Sequence, residues 1–235
     1  MREASKTNVV RGSSFETRYL QGRVIDIGCG QDLVSPAAEP FDLVHGDAQQ
    51  ITKYRPVCAY DTVHSSHCLE HMADPLSALG QWWALVKPGG YLIVVVPDED
   101  LYEQGYWPSR FNDDHKCTFN LDKQTSWSPV SHNIREITNA LPDVETIEIE
   151  RQDHSYNYTL MSQNNGRTDK KPVVPLKLVS QCVRAVLKPF PSLRQKATWA
   201  IQDHYFHNHG VPIDQTARQA LAQIQVIAKK DLSAN

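Results

Sequence analysis

Residues 24–30 read VIDIGCG, a short apolar run that ends in two glycines one position apart. The β-branched apolar residues predict a buried strand, and the glycines predict a tight loop at its end. Gly28 and Gly30 can adopt positive φ and let the backbone approach a ligand closely. Asp26 lies near the strand end, where its carboxylate can accept hydrogen bonds from an ammonium group or from backbone donors. The stretch fits a ligand-binding loop and also an ordinary turn after a strand.

Strands and helices are predicted to alternate along most of the chain. Apolar runs predict further strands at about residues 41–45, 59–65, 91–96, 144–149 and 223–228, with helices at about 14–20, 74–86 and 134–141. This order is typical of an α/β protein with a doubly wound, Rossmann-like, mostly parallel sheet. Ligands of such sheets bind at the carboxyl ends of the strands, so functional residues should follow Ile27, Val44, His64 and Val96.

Three further motifs follow the glycine loop: HGDA at residues 45–48, YDTVHSSHCLEH at 60–71 and LVKPGGYLIVVVP at 85–97. Together with VIDIGCG, they resemble the class I S-adenosylmethionine (SAM)-dependent methyltransferases, in particular the broad type 11 group. The resemblance covers roughly residues 22–97. It implies SAM as the cofactor and one domain over residues 1–235. It also implies an antiparallel last strand, preceded by a mainly helical insertion at residues 151–221.

The resemblance also implies cofactor-binding residues. The glycine loop with Asp26 would hold the methionine part of SAM, and an acid after the second strand would bind the ribose hydroxyls. Asp42 and Asp47 compete for the ribose, and we favour Asp42, which leaves Asp47 beside the adenine. The full expected set is Asp26, Gly28, Gly30, Asp42, Asp47, Ala48 and Ser66.

The chain departs from the family pattern in two places. The family has a third glycine two positions after Gly30, where this chain has Asp32. The stretch from the glycine loop to HGDA is short, and the two prolines within Ser35–Pro40 disfavour a long helix there. These departures motivate an alternative function, that of a catalytically inactive methyltransferase-like binding module.

The segment PDEDLYEQGYWPSRFNDDHK, residues 97–116, follows the strand at 91–96 and should lie at the ligand edge of the sheet. Tyr106 and Trp107 could form apolar walls for an acceptor, and Arg110 could hold an anionic group. His115 could act as the general base, and His67 is a second candidate. A solvated loop with a few packing aromatic residues is the alternative.

A different interpretation of residues 67–71 is a zinc site. HCLEH matches the H-x-x-E-H pattern, in which His67 and His71 would bind zinc from one helix face and Glu70 would be the base of a hydrolase. Pro75 would keep such a helix short, and the flanking motifs fit a methyltransferase, so we expect no metal. A second ligand-like cluster, formed by Asp203, His204, His207 and His209, is predicted to be a polar loop of the insertion.

Composition restricts partners and compartment. The net charge of −3 shows no bias towards nucleic acid. Residues 167–196 are strongly basic, however, and could form a contact surface for a substrate, a lipid surface or a partner. The five cysteines contain no C-x-x-C pair, which predicts reduced thiols and a cytoplasmic protein. No stretch reaches the roughly 18 apolar residues of a membrane span, so none is expected.

These observations predict an enzyme that transfers a methyl group from SAM to a small or medium-sized acceptor. The expected target is a hydroxyl group of a sugar, a glycan or another metabolite. Methyl transfer is an in-line displacement, so the protein would mainly position the two molecules and provide a base for the acceptor.

Overall fold

The computed structural model describes residues 3–161, 186, 188–209 and 212–233. Its strands are β1 (Val24–Ile27), β2 (Glu39–Phe41), β3 (Tyr60–Ser66), β4 (Val86–Pro97), β5 (Thr118–Asn120), β6 (Ser131–Asn133), β7 (Val144–Gln152) and β8 (Gln223–Lys230). Six of them form the central sheet in the order β2-β1-β3-β4-β8-β7, and β5 and β6 form a separate pair.

The central sheet is mostly parallel. β1 pairs in parallel with β2 and β3, and β3 pairs in parallel with β4. The last strand, β8, runs antiparallel to both of its neighbours, β4 and β7. The predicted α/β class with an antiparallel last strand is therefore confirmed.

The helices are α1 (Glu3–Asn8), α2 (Phe15–Tyr19), α3 (Pro75–Leu85), α4 (Ile134–Asn139) and α5 (Pro191–His209). The α3 helix begins where the sequence predicts, because the Asp74 side chain accepts the Ser77 N–H at 3.0 Å. Pro75 occupies the first turn, where its missing N–H costs no hydrogen bond.

Two adjacent tryptophans of α3 attach this helix to the core. Trp82 and Trp83 are 0% and 2% exposed. Their indole N–H groups donate to the carbonyls of Ala48 at 2.9 Å and Pro142 at 2.8 Å. Each ring therefore buries a large apolar area without leaving its N–H unsatisfied. Residues 92–96 of β4 are buried as well, as expected for a central strand covered on both faces.

The second strand differs from the prediction. It covers Glu39–Phe41, whereas the apolar pattern predicted about 41–45. Leu43 and Val44 are 87% and 89% exposed, because the chain turns away after Asp42 and the His45 N–H closes the turn onto the Asp42 carbonyl. The apolar pattern failed here because these two residues are not used in the core.

Residues 153–222 connect β7 to β8. Their described part contains α5 and short 3-10 turns at Tyr158–Leu160 and Thr216–Arg218. Most of the basic stretch 167–196 lies outside the described residues. Across the described ranges, we find no helix long and apolar enough to span a membrane.

Candidate functional site

A cavity opens at the carboxyl ends of β1 and β3, beside the segment that follows β4. Its wall comprises Glu3, Ala4, Asp26, Gly28, Cys29, Gly30, Asp32, Ser66, His67, Glu70, His71, Tyr102, Asn112, His115 and Thr216. The glycine loop forms one wall, residues 66–71 and 102–115 form the other, and α1 contributes to the rim. Parallel α/β sheets bind their ligands at this edge.

The two glycines of the loop have different surroundings. Gly28 has a φ of +73°, and a Cβ at this position would lie 2.5 Å from Sγ of Cys68. Gly30 has a φ of +55° and nothing within 4 Å of its Cβ position. Gly28 is therefore required by the packing of Cys68 against the loop, whereas Gly30 leaves open space on the cavity side.

Asp26 lies at the cavity wall and is 1% exposed. Its Oδ2 accepts the Val34 N–H at 2.7 Å, and its Oδ1 lies 2.7 Å from Nδ1 of His64. Nε2 of His64 lies 3.2 Å from a guanidinium nitrogen of Arg11. An arginine can only donate, so this nitrogen accepts and Nδ1 carries the proton to Asp26. Burial lowers the pKa of His64, which agrees with a neutral ring.

Asp42 and Asp47 lie in different environments. The Asp42 carboxylate accepts the backbone N–H of Gly30 at 2.7 Å. Asp47 is exposed and caps the turn that follows it by accepting the Gln49 N–H at 2.8 Å. Asp42, Asp47 and Ala48 are not part of the cavity wall, but Asp42 contacts the glycine loop directly. This contact supports Asp42 as the ribose-binding residue, which stays a prediction.

The α1 helix is attached to the glycine loop. The Ser5 N–H donates to Oδ2 of Asp32 at 2.9 Å, and the Ser5 hydroxyl donates to the other oxygen of the same carboxylate. The neighbouring residues Glu3 and Ala4 contribute to the cavity wall. Asp32 therefore holds α1 at the cavity.

The second wall, formed by residues 66–71 and 102–115, is built around Glu70 and is called the Glu70 wall. Glu70 is 1% exposed, and neither of its carboxylate oxygens has a hydrogen-bond partner. Its Oε1 lies 3.5 Å from Nδ1 of His67 and 4.0 Å from Nε2 of both His71 and His115. Burial alone would raise the pKa of Glu70, but the three imidazoles together hold it below its ordinary value.

Carboxylates orient two of these histidines. Nδ1 of His115 lies 2.8 Å from Oε1 of Glu103, and Nδ1 of His71 lies 3.0 Å from Oδ2 of Asp114. An ionised carboxylate only accepts, so Nδ1 of each ring carries a proton. Nε2 of each ring faces Oε1 of Glu70 at 4.0 Å and is the nitrogen that carries the lone pair when the ring is neutral.

His67 is held differently. Its φ is +52°, which is uncommon for a residue other than glycine. Its Nε2 lies 2.9 Å from Oε1 of Gln223 and 3.8 Å from Oε2 of Glu3. Burial alone would lower the pKa of His67, but its contacts with Glu70 and Glu3 raise it above the ordinary value.

The predicted acceptor residues do not all reach the cavity. Tyr106 is 5% exposed and packs under Arg110, whose guanidinium carbon lies 5.1 Å from the ring centroid. Trp107, Tyr106 and Arg110 are not part of the cavity wall, whereas Tyr102 and His115 of the same segment are. An acceptor role for the first three residues stays a prediction.

Several residues of the site lie outside the motifs of the sequence. Glu3 and Arg11 come from the N-terminal segment, which carries no motif. His64 and Glu103 were not predicted, although His67 and His115, which follow them in the sequence, were. The one available signal was His64, because a polar side chain inside a buried strand requires a partner.

Residues 67–71 do not form the helix that a zinc hydrolase of the H-x-x-E-H type requires. The short helix comprises only Leu69–His71, and His67 precedes it with positive φ. His67 and His71 therefore do not share a helix face. His71 packs against His115 instead, with ring centroids 5.1 Å apart.

The second ligand-like cluster was predicted to be a loop, and this prediction was wrong, because α5 covers these residues. Asp203 is engaged by Arg218 at 2.5 Å. The side chains of His207 and His209 lie outside the described part of the chain.

Comparisons with known proteins bear on the same residues. A family model described as a methyltransferase domain matches residues 13–127. This range includes the whole cavity wall except for Glu3, Ala4 and Thr216. No curated protein gives a significant match.

Similar solved structures include a SAM-dependent methyltransferase from Archaeoglobus fulgidus, with 17% identity, a TM-score of 0.47, and coverage of 98% of this chain and 95% of that one. Another is described as a SAM-dependent methyltransferase, possible histamine N-methyltransferase, from Thermotoga maritima. It has 10% identity, a TM-score of 0.43, and coverage of 98% of this chain and 88% of that one. A third is phosphoethanolamine N-methyltransferase 2 from Haemonchus contortus. It has 13% identity, a TM-score of 0.43, and coverage of 93% of this chain and 45% of that one.

The family match and the sheet order lead to the same assignment. The matched residues contain β1 to β4 in their parallel arrangement, together with the glycine loop at the carboxyl end of β1. Residues 13–127 match a methyltransferase domain, and the parallel strands and the glycine loop that they contain agree with the predicted fold.

Proposed function

We propose that this chain methylates a hydroxyl group of a small or medium-sized acceptor, such as a sugar, a glycan or another metabolite. The observation that supports the proposal best is that the glycine loop and the residues around Glu70 line the same cavity. A cofactor at the loop and an acceptor at the histidines would share this cavity, and such proximity is the main contribution of the protein to a displacement reaction.

The glycine loop and Ser66 of the other wall fit SAM. Gly30 leaves open space beside its backbone, and the buried hydroxyl oxygen of Ser66 has no hydrogen-bond partner. Asp26 lies at the wall, and Asp42, whose carboxylate accepts the Gly30 N–H, would accept hydrogen bonds from ribose hydroxyls. Bound SAM would supply an electrophilic methyl group on its sulfonium.

The opposite wall provides the residues that would act on the acceptor. Nε2 of His115 faces the cavity cluster, and Glu103 holds the other ring nitrogen at 2.8 Å. A base held in this way can take a hydroxyl proton, and the carboxylate stabilises the resulting imidazolium. His67 is a second catalytic candidate, and the Tyr102 ring, 5.3 Å from that of His115, provides an apolar wall.

Calorimetric titration with SAM tests the cofactor half of the proposal. The wild-type chain should bind one SAM, and Gly30→Val should abolish binding, because the side chain fills the open space and disfavours the positive φ. Gly12→Val is the matched control, since Gly12 also has nothing within 4 Å but lies outside the cavity wall. A wild-type chain that takes up no SAM would instead be the inactive binding module.

The compartment and the partner surface belong to the same proposal. Cys29, Cys58, Cys68 and Cys117 are unpaired in the described part of the chain, which supports a reducing compartment such as the cytoplasm. The basic residues 167–196 are proposed as a contact surface for the acceptor, a lipid surface or a partner.

A further inference from the structure

The Glu70 wall contains a buried carboxylate that the proposed proton transfer does not use. Glu70 is 1% exposed, and both of its oxygens lack a hydrogen-bond partner. Imidazole nitrogens lie 3.5–4.0 Å from its Oε1, but no hydrogen bond compensates the loss of water around either oxygen. Glu70, His71 and His115 each offer one ligand atom, and these atoms lie within 4.8 Å of one another. The arrangement therefore has the composition and spacing of a cation site.

The two histidines are already oriented as metal ligands. Metal-binding histidines almost always donate their second ring N–H to a carboxylate or carbonyl, which fixes the tautomer and the ring orientation. His115 has this contact with Glu103 at 2.8 Å, and His71 has it with Asp114 at 3.0 Å. Both Nε2 atoms are consequently free to coordinate an ion beside Glu70.

We propose that Glu70, His71 and His115 bind a divalent transition-metal cation, although the sequence predicted no metal. Two imidazole nitrogens and one carboxylate suit Zn²⁺, Mn²⁺ or Fe²⁺, whereas Mg²⁺ and Ca²⁺ prefer oxygen ligands. Metal–ligand bonds of about 2.0–2.2 Å place two ligand atoms of one ion roughly 3–4 Å apart. Oε1 of Glu70 lies 4.0 Å from Nε2 of each histidine, so small side-chain adjustments complete the site.

The role of the cation in the reaction rests on the proposed function. Three protein ligands leave coordination positions open, and the three residues belong to the cavity wall. An acceptor hydroxyl that binds the cation has a lower pKa and becomes a better nucleophile. With a cation bound, Nε2 of His115 coordinates the cation and does not act as the base.

Metal binding is measured directly, without SAM or acceptor. Untagged protein is treated with a chelator, dialysed and titrated by calorimetry with Zn²⁺ and, separately, with Mn²⁺. We expect one ion per chain for at least one of them. Glu70→Gln and His71→Ala should weaken binding by at least about 100-fold, and Glu103→Gln by about 10–100-fold. His132→Ala, a histidine of β6 outside the cavity wall, should bind like the wild type.

Two results would overturn the inference: a wild-type chain that takes up neither ion, or Glu70→Gln and His71→Ala variants that bind as tightly as the wild type. If Glu70→Gln does not fold, His71→Ala still decides, since its side chain is 25% exposed. A chain that binds SAM and transfers methyl groups after chelation refutes only the role of the cation in the reaction. A chain that binds the ion but no SAM refutes the proposed function and leaves the metal site standing.

Discussion

The two walls of the cavity are built from different parts of the polypeptide. The glycine-loop wall depends on backbone geometry: Gly28 and Gly30 have positive φ, and the Gly30 N–H donates to Asp42. The Glu70 wall depends on buried ionisable side chains, with His67 and His115 around one carboxylate. Backbone sites need residues that are neighbours in sequence, whereas side-chain clusters can draw on any part of the chain.

This difference predicts different responses to mutation. A change in the glycine-loop wall, which is built from backbone, should alter folding and cofactor affinity together. The reason is that the same glycines determine the loop conformation and its packing. A change in the Glu70 wall, which is built from side chains, should alter turnover while the fold and the cofactor affinity persist. The experiments below test this separation.

The largest effect is expected in the side-chain wall, at His115. In protein freed of metal by a chelator, His115→Ala should lower the turnover of methylation by roughly 10²–10⁴-fold, the usual contribution of a positioned base. SAM affinity should stay nearly unchanged, because His115 lies on the wall opposite the glycine loop. Turnover is measured as S-adenosylhomocysteine formation with the true acceptor, and affinity by calorimetry. Full turnover of His115→Ala would remove this residue from the mechanism.

In the backbone-built wall, Gly28 and Gly30 should differ in their effect on stability. Gly28→Ala should lower the free energy of unfolding by about 2–5 kcal/mol, since positive φ and a clash with Cys68 both act against it. Gly30→Ala should cost about 1–2 kcal/mol, because only the φ strain remains. Urea denaturation measures both values. The double variant Gly28→Ala/Cys68→Gly should recover part of the loss, and equal effects at the two glycines would contradict the packing argument.

The sequence predicted the glycine-loop wall better than the Glu70 wall for the same reason. VIDIGCG is continuous, so one strand and two glycines indicate its geometry. The Glu70 wall requires Glu70, Glu103 and His115 to meet, together with Gln223 from the last strand beside His67. Periodicity gives no information about which of these side chains face one another.

The fold follows a similar division. The strands β3, β4 and β8 lie within a few residues of their predicted bounds. Among these three, only β4 contains the continuous apolar run that is typical of burial on both faces. The second strand was displaced because Leu43 and Val44 are apolar but exposed. The anchoring of α1 through Asp32 was not visible, since a hydrogen bond between positions 5 and 32 leaves no periodic signal.

A smaller effect near the glycine-loop wall is a pH dependence of the free energy of unfolding through His64, which contacts Asp26. Burial holds the folded-state pKa of His64 below about 6.5, so the unfolded chain binds the extra proton between the two values. Stability should therefore fall as the pH drops below about 6.5, by at most about 1.4 kcal/mol per pH unit, and this contribution should be flat above it. Denaturation curves of His64→Gln, whose amide can also bridge Asp26 and Arg11, should lack this slope. Parallel pH profiles of the two proteins would contradict a neutral His64.

The smallest expected effect tests whether α1 belongs to the backbone-built wall. Asp32→Ala removes both hydrogen bonds from Ser5, and exposed hydrogen bonds of this kind contribute about 1 kcal/mol. Such a loss should make the amides of α1 exchange with solvent roughly fivefold faster, because opening of the helix becomes easier by that free energy. Hydrogen exchange read by mass spectrometry on an N-terminal peptide measures the change. Thr17→Ala is the matched control, since its hydroxyl bonds only to the nearby Ser14 carbonyl. Unchanged α1 exchange in Asp32→Ala would mean that packing alone holds the helix at the cavity, and the residue at the position of the family's third glycine would have no anchoring role.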